Sequence, residues 1–176
     1  MNKIIRKIQY SEKVYRFDVE APLIAKSRKA GNFVIIRVDA NSERMPLTIA
    51  DADIEKGTIT LVVQKVGLSS TKLCNLNEGD EIHDVVGPLG NPTHIENYGT
   101  VLCAGGGVGV APMLPIIKAL KAAGNRVLSV IAGRSKDLVI MEDEVRESSD
   151  ELIIMTDDGS AGEKGVVTIG IEKLIQ

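Results

Sequence analysis

A glycine-rich turn between an apolar run and a helical pattern constrains the fold of this chain more than any other feature. Residues 101–112 read VLCAGGGVGVAP, with four glycines in five positions. Glycine adopts backbone angles that other residues resist, and its missing Cβ lets another molecule approach the main chain. A strand that turns through glycines into a helix presents unpaired N–H groups and the positive end of the helix dipole, which suits a phosphate. The motif therefore predicts a strand–turn–helix unit with a nucleotide site.

The pattern of apolar residues changes near residue 98. Before it, one helix is predicted at 69–76, and short alternating or β-branched runs predict six strands, at 3–10, 13–20, 32–39, 46–51, 58–66 and 80–86. Strands of this kind favour an antiparallel barrel or sandwich. After it, strands and helices alternate, which predicts parallel βαβ units, with strands at 101–104, 126–132 and 151–156 and helices at 110–123, 140–147 and 167–175. We therefore expect a six-stranded antiparallel barrel or sandwich over 1–97 and a parallel α/β domain over 98–176.

Composition excludes several classes of function. Of the 176 residues, 44% are hydrophobic and 26% charged, which is typical of a globular protein, and the net charge of −3 gives no basic surface for nucleic acid. Charge appears at Lys3, too early for a signal peptide, and the longest apolar run, 101–117, is too short and too rich in glycine to span a membrane. These features predict a cytoplasmic protein. With only two cysteines and two histidines, we expect no metal site, and we expect Cys74 and Cys103 to be buried thiols.

The glycine turn departs from the common dinucleotide fingerprint. Gly105, Gly107 and Gly109 follow a G-x-G-x-G spacing, and basic residues, Arg134 and Lys136, follow the second strand where an acid would hold a ribose. A standard Rossmann dehydrogenase is therefore disfavoured, whereas a pyridine nucleotide lying across the strand ends is not. The two cations either meet a 2′-phosphate, which would favour NADPH, or face water as ordinary loop residues.

Three further segments have both a functional and a structural interpretation. Residues 156–160, TDDGS, follow the third strand, at the edge where α/β sheets bind ligands, but they also fit a simple turn. Arg44 and Thr48 alternate around Pro46, so a guanidinium and a hydroxyl can share one face of a strand. Residues 67–71 predict a second anion-binding helix start, capped by a serine at 69 or 70. Together they indicate two nucleotides that meet between the domains.

The order of these motifs resembles the ferredoxin–NADP reductase superfamily. Within it, the chain is most similar to the small flavin subunits of NAD(P)H:ferredoxin oxidoreductase and sulfide dehydrogenase, and the dihydroorotate dehydrogenase electron-transfer subunit is a close relative. The resemblance covers essentially the whole chain and is carried by four motifs in order: RMPLTIAD at 44–51, VGLSST at 66–71, GPLG at 87–90 and CAGGGVGVAP at 103–112.

The resemblance implies a FAD-binding barrel followed by an NAD(P)-binding α/β domain, and it implies roles for individual residues. Arg44 would bind a FAD phosphate, and Thr48 would approach flavin N5 as the residue nearest the chemistry. The remaining flavin contacts would be Pro46, Leu47, Val62, Val63 and Gln64 around the ring and ribityl chain, and Gly67, Ser70 and Thr71 at the pyrophosphate. The pyridine nucleotide would be held by Gly106, Gly107, Val108, Gly109, Arg134 and Asp158.

The implied function is a flavin-dependent oxidoreductase that passes hydride from NAD(P)H to FAD and electrons on to an iron–sulfur or ferredoxin-type partner, a larger subunit. Hydride transfer between stacked rings needs orientation and no strong base, which suits a chain with two histidines. The alternatives are a flavin-binding assembly module without full catalytic competence and a nucleotide-binding regulator without flavin. The choice between NADH and NADPH stays open.

Members of this subgroup continue past the position of Gln176, with a further strand and cysteines for a 2Fe–2S cluster, so we expect an α/β domain that is incomplete at its C-terminus. In the superfamily's sheet order the strand at 101–104 is central. Without the later strand, its second edge would be unpaired, which is a liability unless a partner chain covers it.

Overall fold

The structure is a computed structural model that describes residues 2–175. Contacts divide the chain into two compact units, Met1–Thr93 and His94–Gln176. The division follows the change in sequence pattern from short strands to alternating strands and helices.

The first unit is a curled antiparallel sheet with two short helices. Its strands are β1 (Asn2–Gln9), β2 (Val14–Glu20), β3 (Phe33–Arg37), β4 (Met45–Asp53), β5 (Thr58–Gln64), β6 (Glu81–Ile82) and β7 (Asp84–Leu89), and its helices are α1 (Pro22–Ser27) and α2 (Leu68–Asn75). The strand order is β6-β1-β2-β5-β4-β3-β7. Only His83 separates β6 from β7, so the two ends of the sheet order are one residue apart in the chain. The sheet therefore curls back on itself as a barrel does.

The expected six strands are corrected to seven. The predicted run 80–86 is divided at His83, because its first part pairs with β1 and its second part pairs with β3. The sequence pattern carries no sign of this division, since the change of partner depends on where the curled sheet closes. Helix α1 was also missed, because six residues are too few to show a helical period.

The interior of the curled sheet is a continuous apolar cluster. Phe17, Ile36 and Leu61, from three different strands, are fully buried within it, and α2 adds Leu73. Because alternate residues of a strand face opposite sides, the neighbours of these core residues are left on the outer face. That outer face is where the candidate site of the first unit lies.

The second unit is a parallel α/β sheet, as predicted. Its strands are β8 (Thr100–Gly106), β9 (Arg126–Gly133), β10 (Glu151–Thr156) and β11 (Glu163–Lys164), and its helices are α3 (Val110–Ala122), α4 (Glu142–Ser148) and α5 (Val167–Ile175). A short 3₁₀ turn, Gly107–Gly109, joins β8 to α3. The sheet order is β11-β10-β9-β8, with every neighbouring pair parallel.

Strand β8 is an edge strand in the part of the chain that the structure describes, where it pairs with β9 alone. Its apolar side chains at Val101, Leu102 and Cys103 are only half-buried, whereas Val127 to Ala132 of β9 are buried. The unpaired second edge expected from the sequence is thus present. Across residues 2–175, no helix is both long enough and apolar enough to cross a membrane.

Candidate functional site

Strand β4 presents alternate residues to the core and to the outer face, as the sequence predicts. Met45 and Leu47 pack against the apolar cluster that contains Ile49. Arg44, just before the strand, together with Pro46 and Thr48 therefore lies on the opposite side, where Arg44 and Pro46 are exposed and Thr48 is half-buried. The guanidinium, the proline ring and the hydroxyl thus share one face.

Arg44 is a free cation. Among residues 2–175 its guanidinium has no hydrogen bond or ion pair, whereas Arg37 of the neighbouring strand is paired with Asp84 at 2.7 Å. An exposed arginine without a partner does little for the fold, because its charge is already hydrated. It has five donors available for a phosphate or carboxylate.

Strand β5 supplies the surface beside Thr48. Ile49 pairs with Leu61, so Thr48 and Val62, which adjoin that pair, come from neighbouring strands on the outer face. Val62 is buried although it lies outside the core cluster, whereas Val63 belongs to that cluster. Only the main chain of Val63, and likewise of Leu47, is therefore available to a molecule bound on the outer face.

The start of helix α2 is shaped by Ser70. Its hydroxyl accepts hydrogen bonds from the N–H groups of Val66 (3.0 Å) and Gly67 (2.9 Å) and donates to the carbonyl of Gly67 (3.0 Å). The predicted helix at 69–76 thus begins at Leu68, with Gly67 at the cap position and the serine in the first turn. The hydroxyl of Ser70 is fully used within the protein, so this residue can reach a ligand only through its N–H.

The start of α2, from Gly67 to Thr71, is called the first cradle below, and Gly67 leaves it open. A Cβ placed on it would meet nothing within 4 Å, and its φ of −150° is accessible to any residue. Neither crowding nor backbone strain of the protein therefore requires glycine at this position. An external molecule that approaches the main chain is a sufficient reason for it.

The glycine turn of the second unit, from Gly106 to Gly109, is also open to a molecule from outside, and it is called the second cradle below. Gly107 has φ +53°, in the left-handed region, and neither Gly107 nor Gly109 has an atom within 4 Å of an added Cβ. Gly105, in contrast, is crowded, because a Cβ added there would lie 3.2 Å from the sulfur of Met113 in α3. Val108 is half-buried, and the fully buried Val110 anchors the first turn of α3. The turn is thus fixed from one side and open on the other.

The loops that follow β9 and β10 lie at the same sheet edge as this turn. Gly106 pairs with Ala132, and Gly133 pairs with Thr156, so the three strands end at one level. The loops are joined by hydrogen bonds from the Asp158 N–H to the Arg134 carbonyl (3.2 Å) and from the Lys136 N–H to the Ser160 hydroxyl (2.8 Å). The structure therefore brings Arg134 and Asp158 together with the glycine turn.

The charged side chains at this edge face water. Arg134 and Lys136 are exposed and have no ion pair within residues 2–175. Hydrogen bonds from the hydroxyl and N–H of Ser160 lower the pKa of Asp158, so that carboxylate stays ionised and can accept a hydrogen bond from a ribose hydroxyl.

The two cysteines are free thiols. Cys74 is buried as predicted, whereas Cys103, on the edge strand β8, is only half-buried, which corrects the expectation for it. Burial raises the pKa of each thiol, which keeps both protonated. Within the described residues, no group of three or more His, Cys, Asp or Glu side chains is arranged to hold a metal ion.

Sequence reasoning missed two residues that support the first cradle. Asn32 is buried and donates from Nδ2 to the carbonyls of Leu89 (3.1 Å) and Gly90 (3.0 Å), which holds the GPLG motif. Lys72 of α2 bonds to the loop before Arg44. Both contacts join residues far apart in the chain, so no local pattern in the sequence indicates them.

Known proteins share this fold and these motifs. No protein-family model matches the chain. The dihydroorotate dehydrogenase B (NAD(+)) electron transfer subunit homolog of Thermotoga maritima is 50% identical over 176 residues, which are 100% of this chain and 62% of that protein. The corresponding subunit of Streptococcus pneumoniae serotype 4 is 30% identical over 177 residues, with 98% of this chain and 70% of that protein covered.

A solved structure agrees with both sequence matches. The structure of the NADH-dependent reduced ferredoxin-NADP oxidoreductase, described for flavin-based electron bifurcation, superposes with a TM-score of 0.93 at 49% identity, over 100% of this chain and 63% of that one. The fold, with its two glycine cradles, is thus of the ferredoxin–NADP reductase class.

Sequence identity then narrows this fold class to one family. The chain belongs to the family of dihydroorotate dehydrogenase B electron transfer subunits and their homologs. It spans 62% of the length of the Thermotoga relative, which is less than two thirds.

Proposed function

We propose that the first unit binds FAD, that the second unit binds NAD(P)H, and that the chain transfers reducing equivalents from one to the other. The single observation that carries this proposal is Arg44, an exposed and unpaired cation. It directly precedes the strand that places Pro46 and Thr48 on its outer face, in a chain whose helix α2 begins at an open glycine. A diphosphate needs a cation and free N–H groups, and an isoalloxazine needs a flat surface beside them.

The outer face of β4 and β5 fits the flavin. Arg44 would hold a phosphate, and the N–H groups at the start of α2, from Gly67 to Thr71, would hold the pyrophosphate. Pro46, Thr48 and Val62 would line the ring with their side chains, with Gln64 further along the same strand face. Since Leu47 and Val63 face the core, their share of the site is the main chain, and Ser70 shapes the cradle without donating its hydroxyl.

The carboxyl edge of the parallel sheet fits the pyridine nucleotide. Gly106, Gly107, Val108 and Gly109 would receive its diphosphate at the start of α3, where main-chain N–H groups and the helix dipole favour an anion. Arg134 and the ionised Asp158 would bind its other polar groups. The exposed position of Arg134 is compatible with both NADH and NADPH.

The protein's part in the chemistry is binding and orientation. Bound flavin accepts a hydride from a reduced nicotinamide and delivers electrons to an acceptor. Thr48 would place its hydroxyl or its main chain at the reacting edge of the ring, and the buried Val62 would exclude water beside it. Hydride transfer between stacked rings requires orientation and no general base.

The identity of the electron acceptor is a further part of the proposal. The two curated relatives are named as an electron transfer subunit and a homolog of one, and the solved relative is named for ferredoxin and NADP. We therefore assign an iron–sulfur or ferredoxin-type partner, in a larger subunit, to this chain as well. The expected cytoplasmic location stays a prediction.

Reconstitution with flavin tests the proposal. The purified chain is incubated with FAD, freed of excess flavin and examined by absorbance, and its turnover of NADH and NADPH is then measured with an artificial acceptor. We expect a yellow protein that oxidises at least one of the two nucleotides. Arg44→Met should weaken FAD binding, whereas Arg6→Met, which removes an exposed arginine on β1 of the same unit, should not.

Each result has one meaning. A colourless protein with no flavin affinity would reject the proposal. Flavin binding without nicotinamide turnover would support the assembly module instead. Equal effects of the two arginine substitutions would remove Arg44 from the flavin site.

A further inference from the structure

Helix α2 and the loop that leads to Arg44 are tied together by one side chain. The ammonium of Lys72, in the middle of α2, donates to the Asp39 carboxylate at 3.0 Å and to the Ser42 hydroxyl at 3.2 Å. Asp39 and Ser42 lie in the connection between β3 and β4, and Arg44 follows Ser42 by two residues. A single lysine therefore bridges the two elements that we assign to the flavin phosphates.

The loop end of this bridge is well folded. The Asp39 side chain accepts the N–H of Asn41 at 2.9 Å, and its carbonyl accepts the N–H of Ser42 at 3.1 Å. Hydrogen bonds from the Lys72 ammonium, the Ser42 hydroxyl and the Asn41 N–H lower the pKa of Asp39 to about 2, so the carboxylate is charged at neutral pH. The loop thus forms a compact turn, and the lysine contacts both ends of it.

The helix end of the bridge is fixed as well. Ser70 closes the first turn of α2 through its bonds to Val66 and Gly67. At the other end, the ammonium of Lys7 donates to the carbonyls of Cys74 and Leu76, each at 2.7 Å. Because Leu73 and Cys74 of α2 are buried in the barrel core and Lys7 of β1 holds the C-terminal end of the helix, α2 is the fixed body, and Lys72 transmits its position to the loop.

We propose that Lys72 is a positioning residue that holds the Arg44 loop against α2, so that the guanidinium and the helix start bind the same diphosphate. The proposal rests on the proposed FAD site. Lys72 acts through Asp39 and Ser42, because two of its three donors are engaged there, and it does not itself bind the ligand. A loop held in place before binding loses less conformational freedom when the ligand arrives.

The test compares ligands with and without a diphosphate. Dissociation constants for FAD, ADP and riboflavin are measured by fluorescence titration of the apoprotein for the wild type, Lys72→Met, Lys72→Arg and Asp39→Asn, and for the double variant Lys72→Met/Asp39→Asn. The control is Lys56→Met, which removes the lysine of another exposed ion pair, at 2.7 Å to Asp53, in the β4–β5 turn. Circular dichroism checks that every variant is folded.

We expect Lys72→Met to weaken FAD and ADP binding by about two- to fivefold, the range of a partly exposed ion pair, and to leave riboflavin binding unchanged. Lys72→Arg should restore most of the affinity, and Lys56→Met should have no effect. Once Asp39 is replaced, the second substitution should add little, since both remove the same bridge.

Three results would overturn the inference. Equal losses for FAD and riboflavin would show a merely structural role, and additive losses in the double variant would show that the lysine acts directly on the phosphate. Unchanged FAD affinity in Lys72→Met would show no role at all. A wild type that binds no FAD would instead reject the proposed function, so the two failures are distinguishable.

Discussion

Replacing Gly109 by alanine should separate the stability of the second unit from its nucleotide affinity. Gly109 has φ −65° and ψ −14°, which are helical angles that alanine adopts without strain. A Cβ at this position meets nothing within 4 Å. The substitution therefore adds one methyl group to the open side of the proposed cradle and changes nothing else.

The expected effect on folding is small and favourable. Helix capping preferences do not oppose the change, because they apply to residues with non-helical angles and Gly109 is already helical. Replacing a glycine in a compatible conformation stabilises a protein by about 0.4–1 kcal/mol, since the unfolded chain loses freedom. We therefore expect the thermal midpoint of Gly109→Ala to stay the same or to rise.

The expected effect on binding has the opposite sign. A methyl group between the main chain and a diphosphate removes at least one charge-assisted hydrogen bond, which is worth about 1.5–3 kcal/mol. That loss corresponds to roughly a ten- to hundredfold weaker affinity for the pyridine nucleotide. Isothermal titration with NADH and NADPH measures it directly, and the Michaelis constant of the acceptor assay measures it independently.

Gly67→Ala is the matched control in the first unit, because its Cβ also meets nothing within 4 Å and its φ is also not positive. It should weaken FAD and leave the pyridine nucleotide unaffected, whereas Gly109→Ala should do the reverse. If Gly109→Ala binds both nucleotides with wild-type affinity, the assignment of the open glycine turn as a phosphate cradle is wrong. A large fall in the thermal midpoint of Gly109→Ala would refute the interpretation that alanine fits the backbone of Gly109 without strain.

Three further predictions concern the fold. The Asp39 carboxyl should titrate near pH 2 by carbon NMR, and Lys72→Met should raise its pKa. Because folding lowers this pKa, the ionised carboxylate stabilises the folded state at every pH above the ordinary pKa of 3.8, and this contribution disappears as the pH falls towards 2. Gly162→Ala should lower the free energy of unfolding by more than about 2 kcal/mol and lower the thermal midpoint with it, since a Cβ there would lie 2.2 Å from the Ile154 carbonyl at a φ of +60°. Asn32→Ala should cost about 1–3 kcal/mol in chemical denaturation, because two carbonyls lose their buried donor.

Each of these has an outcome that contradicts it. An ordinary pKa for Asp39 would show that the lysine bridge is absent in solution. A wild-type midpoint for Gly162→Ala would mean that the turn after β10 relaxes freely. Full stability of Asn32→Ala would show that water replaces the amide at the carbonyls it holds.

Much of the fold is readable from local patterns. The parallel strands and helices of the second unit were predicted to within a few residues, because apolar strands, glycine turns and helical periods are local signals. Three short features there were missed, and all are too brief to carry a period: β11 and the 3₁₀ turns at Gly107–Gly109 and Lys136–Leu138. In the first unit the division of the last predicted strand at His83 was missed for a different reason, since it depends on barrel closure.

The candidate site likewise has features that the sequence predicts and features that only the structure shows. Alternation along β4 places Arg44, Pro46 and Thr48 on one face without any knowledge of the tertiary structure. The resemblance placed Leu47 and Val63 beside the flavin ring, whereas in the structure Val63 belongs to the core cluster and Leu47 packs against it. Ser70 likewise has a hydroxyl that looks available in the sequence and is fully bonded in the structure.

The sequence by itself determined the kinds of element, their order and the glycines that leave two turns open, because each depends on residues within a few positions of one another. Only the tertiary structure decided which charges are paired. Arg44 is free because no acidic side chain of residues 2–175 reaches it, and Lys72 is engaged because the loop at Asp39 folds back over α2. Pairing depends on distance in space, and the chain brings those residues together only when the barrel closes.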